Sequence, residues 1–263
     1  MEVLSAATIQ DGLRTEILGC RIVCFDTVDS TNVVARTLAE EGAPEGTLVI
    51  ADEQTAGRGR LERRWLAPPG TSLLFSLLLR PSLPVNRAQA LTMVTGLALQ
   101  AAVLELTGLP ARLKWPNDIV VRGLKVGGIL TEASSTGAHL EHAVVGIGLN
   151  VNLDAESFAS SFRATSLSDE LGHPIPRVPL LQAALWHIER RYVSMSEGAW
   201  PAADWAASLE TIGQWIEVRT SQGQWRGRAT GVDDDGALLL RTSDGQLKRV
   251  TVGDVVSRCE HDL

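Results

Sequence analysis

The chain is short of cysteine, lysine and tyrosine. Among its 263 residues are three cysteines, Cys20, Cys24 and Cys259, and one tyrosine. Three thiols cannot all pair with one another and cannot make a metal quartet, so neither a disulfide framework nor a four-cysteine zinc site is expected; reduced, cytoplasmic thiols are. No run approaches 18 uninterrupted apolar residues, which predicts no membrane-spanning helix. The first 20 residues carry charges and lack an apolar h-region, which predicts no secretory signal. There is no G-x-x-x-x-G-K-[ST] phosphate loop and no G-x-S-x-G elbow, and Gly146-Ile147-Gly148 lacks the third glycine of a dinucleotide fingerprint. His139 and His142 flank Leu140-Glu141 at a spacing that matches no zinc-hydrolase helix, and are read as part of a solvated loop.

What remains is ordinary globular material. The apolar fraction is 44%, the charged fraction 21%, and 24 basic against 31 acidic residues leave a net charge of −7. That balance argues against a whole-protein grip on nucleic acid. A chain of this length buries well over half its unfolded surface and needs no staples. Of the 24 basic residues only Lys114, Lys125 and Lys248 are lysines, yet two of these lie within one twelve-residue stretch. Lysine and arginine differ in geometry and in how readily they give up a proton.

Periodicity predicts a strand at Arg21–Phe25, a helix over Val33–Leu38 stopped at Gly42, strands at Thr47–Ala51 and Ser72–Leu79, and a helix over Ala88–Leu106. Strands at Ile119–Val121, Val126–Thr131 and Ala143–Val151 and a helix over Leu180–Val193 come next, whereas residues 1–20 show no clear pattern. Beyond Ile212 come four short strands, Trp215–Thr220, Trp225–Val232, Ala237–Thr242 and Leu247–Val252, with tight glycine turns between them. These read as a small β-barrel, with a domain boundary near residues 208–213.

Three segments carry chemistry. Gly57-Arg58-Gly59-Arg60-Leu61-Glu62-Arg63-Arg64-Trp65 is a glycine-hinged loop of local charge +3 in an acidic protein. Arginine forks suit carboxylates and phosphates. Lys114-Trp115-Pro116-Asn117-Asp118, followed by Lys125-Val126-Gly127-Gly128-Ile129-Leu130-Thr131-Glu132, gathers cations, amides and a carboxylate beside paired glycines. Such glycines in a strand read as a bulge, as tight packing or as close approach of a ligand to backbone. Gly146-Ile147-Gly148-Leu149-Asn150 is a third, glycine-punctured strand. Ser30-Thr31-Asn32 reads first as a helix cap.

The loop GRGR-x-x-R-x-W, KWPND, K-V-x-G-I-L-x-E and GIGLNVN, with Asp29-Ser30-Thr31-Asn32 and Glu53-Gln54-Thr55-Ala56 before them, resemble biotin–protein ligases in the same order, from about residue 22 to about residue 258. The resemblance implies an α+β fold: a mixed β-sheet catalytic domain with helices on one side, class II synthetase-like, over residues 1–210, then an SH3-like β-barrel over 211–263. It implies a two-step reaction in which biotin and ATP, with Mg²⁺, give biotinyl-5′-AMP and pyrophosphate. The acyl group then passes to one lysine of a biotin carboxyl carrier protein or of a carboxylase carrier domain.

Residue by residue, the resemblance implies a biotin site of Ser30, Thr31, Asn32, Gln54, Gly57, Arg58, Gly59, Arg60, Lys125, Gly127 and Gly128, and a nucleotide site of Arg63, Trp65, Lys114, Asn117, Asn150 and Arg258. Lys125, Arg60 and Arg58 would carry catalysis, and Asp118 would neighbour Mg²⁺. Lipoate ligases share the fold, but their lysine and arginine-glycine segments differ from these. A DNA-binding repressor form would need an N-terminal module of roughly 60 residues, and about 20 residues precede the first motif. A protein that merely stored biotin would need neither Lys125 nor the arginine loop. A carrier protein is thus the expected partner, without nucleic acid or membrane, and monomer and homodimer both stay open.

Overall fold

A computed structural model describes residues 3–154, 164–221 and 223–258. Seven strands form one mixed sheet in the order β1-β2-β3-β7-β6-β5-β4: β1 (Ile22–Val28), β2 (Leu48–Gln54), β3 (Ser72–Leu79), β4 (Arg112–Lys114), β5 (Asp118–Val121), β6 (Leu124–Thr136) and β7 (His139–Asn150). Only β1 and β2 run parallel; every other neighbouring pair is antiparallel.

Strand β3 is buried on both sides, and its alternation divides the core. Leu73, Phe75, Leu77 and Leu79 join the cluster that contains α3 (Gln89–Thr107) and α5 (Arg177–Ser196). Leu78 joins Val49 and Val144 under α2 (Thr31–Glu40), packed by Ala35 and Ala39. Helices therefore cover both faces of the sheet rather than one, because α2 crosses back over the face opposite α3 and α5. Helix α3, with the 3₁₀ turn before it, forms a 23-residue stretch long and apolar enough to span a membrane, which the count of uninterrupted apolar residues missed. Its most apolar window is 67% buried inside the protein, as a core helix requires.

The N-terminal segment, unpatterned in sequence, holds the five-residue α1 (Ala6–Gln10), closed by a capping box between Ser5 and Thr8. Glu189 of α5 anchors the turn at 16–18 by accepting from the backbone N–H groups of Glu16, Ile17 and Leu18 at 2.7–2.8 Å. Two further short helices, α4 (Leu167–Leu171) and α6 (Ala202–Ser208), complete the helical set among the described residues. His139 and His142 lie on β7, not in a loop; His139 is exposed and His142 buried at 6% exposure.

The remaining strands form a separate five-stranded antiparallel sheet, ordered β11-β10-β9-β8-β12. They are β8 (Trp215–Thr220), β9 (Gly223–Val232), β10 (Leu238–Arg241), β11 (Leu247–Val250) and β12 (Asp254–Arg258). Strand β12 was unexpected; it pairs with β8 through a bulge between Val255 and Ser257. Trp115, 1% exposed, fastens this small sheet to the large one by donating its indole N–H to the carbonyl of Gly236 at 3.0 Å.

Candidate active site

The register of β6 on β7 sets Gly128 opposite Gly148 and Leu130 opposite Gly146. Gly128, Gly146 and Gly148 thus fall on one face, which is the face α2 covers. They floor a cleft of ≈ 1030 Å³ that runs from the start of α2 to the wall of the small sheet. The volume is at the upper end for a small-molecule site. Each glycine makes way for a particular side chain. A Cβ at 146 would lie 2.0 Å from Asn32 Oδ1, and one at 148 would lie 2.5 Å from the Trp65 indole. At 128 it would meet Lys125 Nζ and Trp65 at 3.3 Å.

One end of the cleft is polar, and its side chains hydrogen-bond one another. Ser30, at the N-cap of α2, makes no capping hydrogen bond, so a cap does not account for it, although it is 2% exposed. Thr31 donates from its backbone N–H to Gln54 Oε1 at 2.8 Å, and its hydroxyl lies 3.1 Å from the same oxygen. Asn32 Oδ1 accepts from Ser76 Oγ at 2.6 Å, while Asn32 Nδ2 donates to Glu132 Oε2 at 2.7 Å.

The other end is cationic. The loop from Gly57 folds back on itself: Gly59 N–H donates to the Arg63 carbonyl at 2.7 Å, and Trp65 N–H to the Gly57 carbonyl at 2.9 Å. Only glycine fits at 57, where a Cβ would stand 2.6 Å from the Trp65 carbonyl. Leu61, at the turn, takes φ 53°, the left-handed region that a branched side chain rarely occupies. Arg60 reaches Asn117 Oδ1 at 3.5 Å and Asp254 of β12 at 3.9 Å; Arg63 meets Asp254 at 2.8 Å. Burial pulls the Arg60 guanidinium below its ordinary pKa, with Asp254 and Asp118 opposing the shift.

Lys125 stands between the two ends. Its Nζ is 2.5 Å from Asp118 Oδ1 and 5.4 Å from the Trp65 ring centre. Asp118, expected beside a metal, is thus the partner of the lysine in this structure. Around the cleft, eight cationic side chains face three carboxylates, Asp118, Glu210 and Asp254. That excess suits polyanionic ligands inside an otherwise acidic protein.

Of the residues expected to hold an acid, the cleft brings together Ser30, Thr31, Asn32, Gln54, Arg58, Gly59, Arg60, Lys125 and Gly128. Gly57 and Gly127 do not line it. Gly127 points the opposite way from Gly128, and a Cβ there would touch Ile119 and Leu149 at 3.0 Å, so it serves packing. Arg63, Trp65, Lys114, Asn117 and Asn150 all border the cleft. Asn117 Nδ2 also donates to the Ile129 carbonyl at 2.6 Å, and Asn150 Nδ2 to the Thr165 carbonyl at 3.1 Å. The Arg258 side chain lies outside the described residues, although its backbone pairs with Ile216, which does line the cleft. Sequence reasoning overlooked Gly146 and Gly148 as floor, Ser76 and Glu132 behind Asn32, and Asp254 and Arg219 on the barrel wall.

The Biotin/lipoate A/B protein ligase family matches residues 24–150, and the Biotin protein ligase C terminal domain matches residues 211–258. A bifunctional ligase/repressor BirA from Bacillus subtilis is 39% identical over 96% of this chain and 78% of its own length. The chain belongs to the biotin–protein ligase family. A biotin–[acetyl-CoA-carboxylase] ligase from Mycobacterium tuberculosis is 37% identical over 86% of this chain and 85% of its own. Among solved structures, the Aquifex aeolicus biotin protein ligase in complex with biotin and ATP superposes with a TM-score of 0.76 at 30% identity, covering 91% of this chain and all of that one. The fold expectation, a mixed sheet followed by a small β-module, holds; the enzyme is a biotin ligase.

Proposed function

We propose that the enzyme joins biotin to ATP as biotinyl-5′-AMP and passes the acyl group to a lysine of a biotin carrier domain. The observation that carries this reading is the position of the Lys125 ammonium. It sits on the glycine floor between a neutral, hydrogen-bonding end and a cationic end. Biotin has the same division: an uncharged ring system at one end and a carboxylate at the other.

In the first step a biotin carboxylate oxygen attacks the α-phosphorus of ATP, and the bond to the β-phosphate oxygen breaks to release pyrophosphate. Two anions must meet, so catalysis is chiefly positioning and neutralisation. Lys125 supplies a compact cation with three donors, and Asp118 holds its Nζ in place until substrate oxygens take over. Arg58, Arg60 and Arg63 face the carboxylate and the phosphates, while Trp65, Asn117 and Asn150 border the nucleotide. Magnesium bound to ATP would add charge neutralisation at the phosphates, and Asp118, beside Lys125, is the carboxylate that would neighbour it.

In the second step the neutral amine of the acceptor lysine attacks the acyl carbon and AMP leaves. The arginine loop excludes water from the mixed anhydride meanwhile. Residues 1–210 would carry this chemistry, and 211–263 would close one wall. The test is biotin-dependent ATP–pyrophosphate exchange by the purified enzyme, followed by labelling of a biotin carboxyl carrier domain. Exchange plus labelling supports the reading; folded enzyme that does neither refutes it.

A further inference from the structure

Asn32 is held by two groups that do not themselves border the cleft. Its Nδ2 donates to Glu132 Oε2 at 2.7 Å and lies 3.4 Å from the Leu130 carbonyl. Its Oδ1 accepts from the fully buried Ser76 hydroxyl at 2.6 Å, which also lies 2.8 Å from Thr31 Oγ1, and rests against Gly146. Arg36, one turn further along α2, stands 3.9 Å from the other oxygen of Glu132.

A carboxamide turned by 180° exchanges its oxygen for its NH₂ with little change of shape, so its neighbours decide which group a ligand meets. A carboxylate and a carbonyl can only accept. Glu132 and Leu130 therefore fix the NH₂ on the β6 side and leave the second lone pair of Oδ1 as the hydrogen-bonding capacity that Asn32, a residue lining the cleft, keeps for a ligand. Gln54 is oriented the same way. The Thr31 N–H, which can only donate, engages its Oε1 and leaves Nε2 as a donor. The head end of the cleft thus presents one acceptor and one donor in a set order. A cyclic urea, with a carbonyl acceptor between two N–H donors, is its complement.

The geometry points to Glu132 and Ser76 as positioning residues that set the polarity with which Asn32 reads the urea of the acid substrate. This rests on the reading of biotin as that acid. A network that only anchored α2 to the sheet would lower stability and weaken every substrate alike. A polarity-setting network discriminates between ligands of one shape and different donors.

The probes are biotin and its two cyclic-carbamate regioisomers, in which one urea N–H is replaced by an ether oxygen. Pyrophosphate exchange is measured on the full chain as wild type, Glu132→Gln and Ser76→Ala, with melting temperature as the fold control. The wild-type enzyme should prefer biotin over the worse carbamate by about tenfold or more, because an acceptor would then face Asn32 Oδ1. Glutamine at 132 can donate as well as accept, so Asn32 is free to turn over. In Glu132→Gln the biotin KM should rise about tenfold and the preference should fall to within about threefold, while the KM for ATP holds. Ser76→Ala should shift the preference in the same direction and serves as the test if Glu132→Gln does not fold. Folded variants that lose biotin and carbamate equally, or that lose ATP affinity as much as biotin affinity, overturn the inference. A wild-type enzyme without biotin-dependent exchange overturns instead the ligase reading beneath it.

Discussion

Replacing Gly146 by alanine tests how tightly the head end of the cleft is built. The new Cβ would stand 2.0 Å from Asn32 Oδ1, so one of the two must yield by about 1 Å or more. Asn32 cannot swing away freely, since Ser76 holds its oxygen at 2.6 Å and Glu132 its nitrogen at 2.7 Å. Losing a neutral and a charge-assisted hydrogen bond together costs about 2–4 kcal/mol. Shifting the buried backbone instead costs about 1–3 kcal/mol. On either route Gly146→Ala should melt roughly 5–15 °C below wild type. It should also bind biotin at least about tenfold more weakly, because the displaced carboxamide no longer meets the ligand.

Gly148→Ala is the contrast. Its obstruction at 2.5 Å is the Trp65 indole, a side chain on a loop rather than a residue pinned by Ser76 and Glu132, so melting should fall by only a few degrees while tryptophan fluorescence shifts. Scanning fluorimetry and titration calorimetry on both variants read these quantities. A Gly146→Ala enzyme that melts within about 2 °C of wild type and binds biotin within about threefold would refute the reasoning. So would a Gly148→Ala variant destabilised as much as Gly146→Ala.

Other perturbations separate the loop, the barrel wall and the core. Arg60→Gly should let activated biotin escape the sealing loop and label a bystander protein; labelling no higher than with wild type removes Arg60 from that role. Asp254→Ala frees Arg63 and Arg60 from the barrel, and should change the KM for ATP several-fold more than the KM for biotin in pyrophosphate exchange. Equal changes would mean that the contact does not position the nucleotide end. Arg177 is 1% exposed and donates to Asp52 at 2.7 Å and to the Ser72 carbonyl at 3.2 Å, so Arg177→Ala should cost about 1–3 kcal/mol by leaving the buried carbonyl and the partly exposed carboxylate without their donor, read as a lower melting temperature. In the barrel, the Thr242 hydroxyl and the Gln246 N–H hold the Asp244 carboxyl below its ordinary pKa. Its stabilising contribution is present above the unfolded carboxyl value and is lost as pH falls through the depressed folded one. The melting difference between wild type and Asp244→Ala should therefore shrink below roughly pH 4, and a constant difference would contradict this.

The strands that build the cleft floor were legible because alternation and glycine placement are local signals. Ser72–Leu79 is legible to the residue and the long helices to within about three residues of their ends, whereas the reading Val126–Thr131 covers less than half of β6. Side-chain identity also announced the loop and the lysine. What stayed hidden depended on register and on contacts distant in sequence. Gly146 and Gly148 read as a weakened strand until pairing with β6 set Gly148 beside Gly128. Ser76 is the lone polar residue inside the run LLFSLLL, and that break in an apolar stretch was the available signal. Its purpose appears only when α2 brings Asn32 against it, 44 positions away. In sequence Gly127 is indistinguishable from its site-lining neighbour Gly128, but a strand sends consecutive residues to opposite faces. Helix α2 covers the face opposite α3 and α5, a choice of side that its amphipathic pattern does not encode. Asp254 sits in a strand too short for periodicity to reveal, and its partners lie nearly 200 positions earlier.

The central claim is that Lys125 stands at the reaction centre, and Lys125→Arg tests it most directly. The charge is kept, so long-range attraction survives, but a planar fork replaces a compact ammonium. Space for it is short: Lys125 Nζ is 2.5 Å from Asp118 and would lie 3.3 Å from any Cβ at 128. The chain uses arginine at all but three of its 24 basic positions, yet has lysine here. The measurement is biotin-dependent pyrophosphate exchange by Lys125→Arg, with circular dichroism and melting temperature as fold controls. The expected result is a folded enzyme whose rate falls on the order of 10²–10³, as when one well-placed charged donor is lost. A folded variant that keeps more than roughly a tenth of the wild-type rate would contradict the assignment and move the role to Lys114.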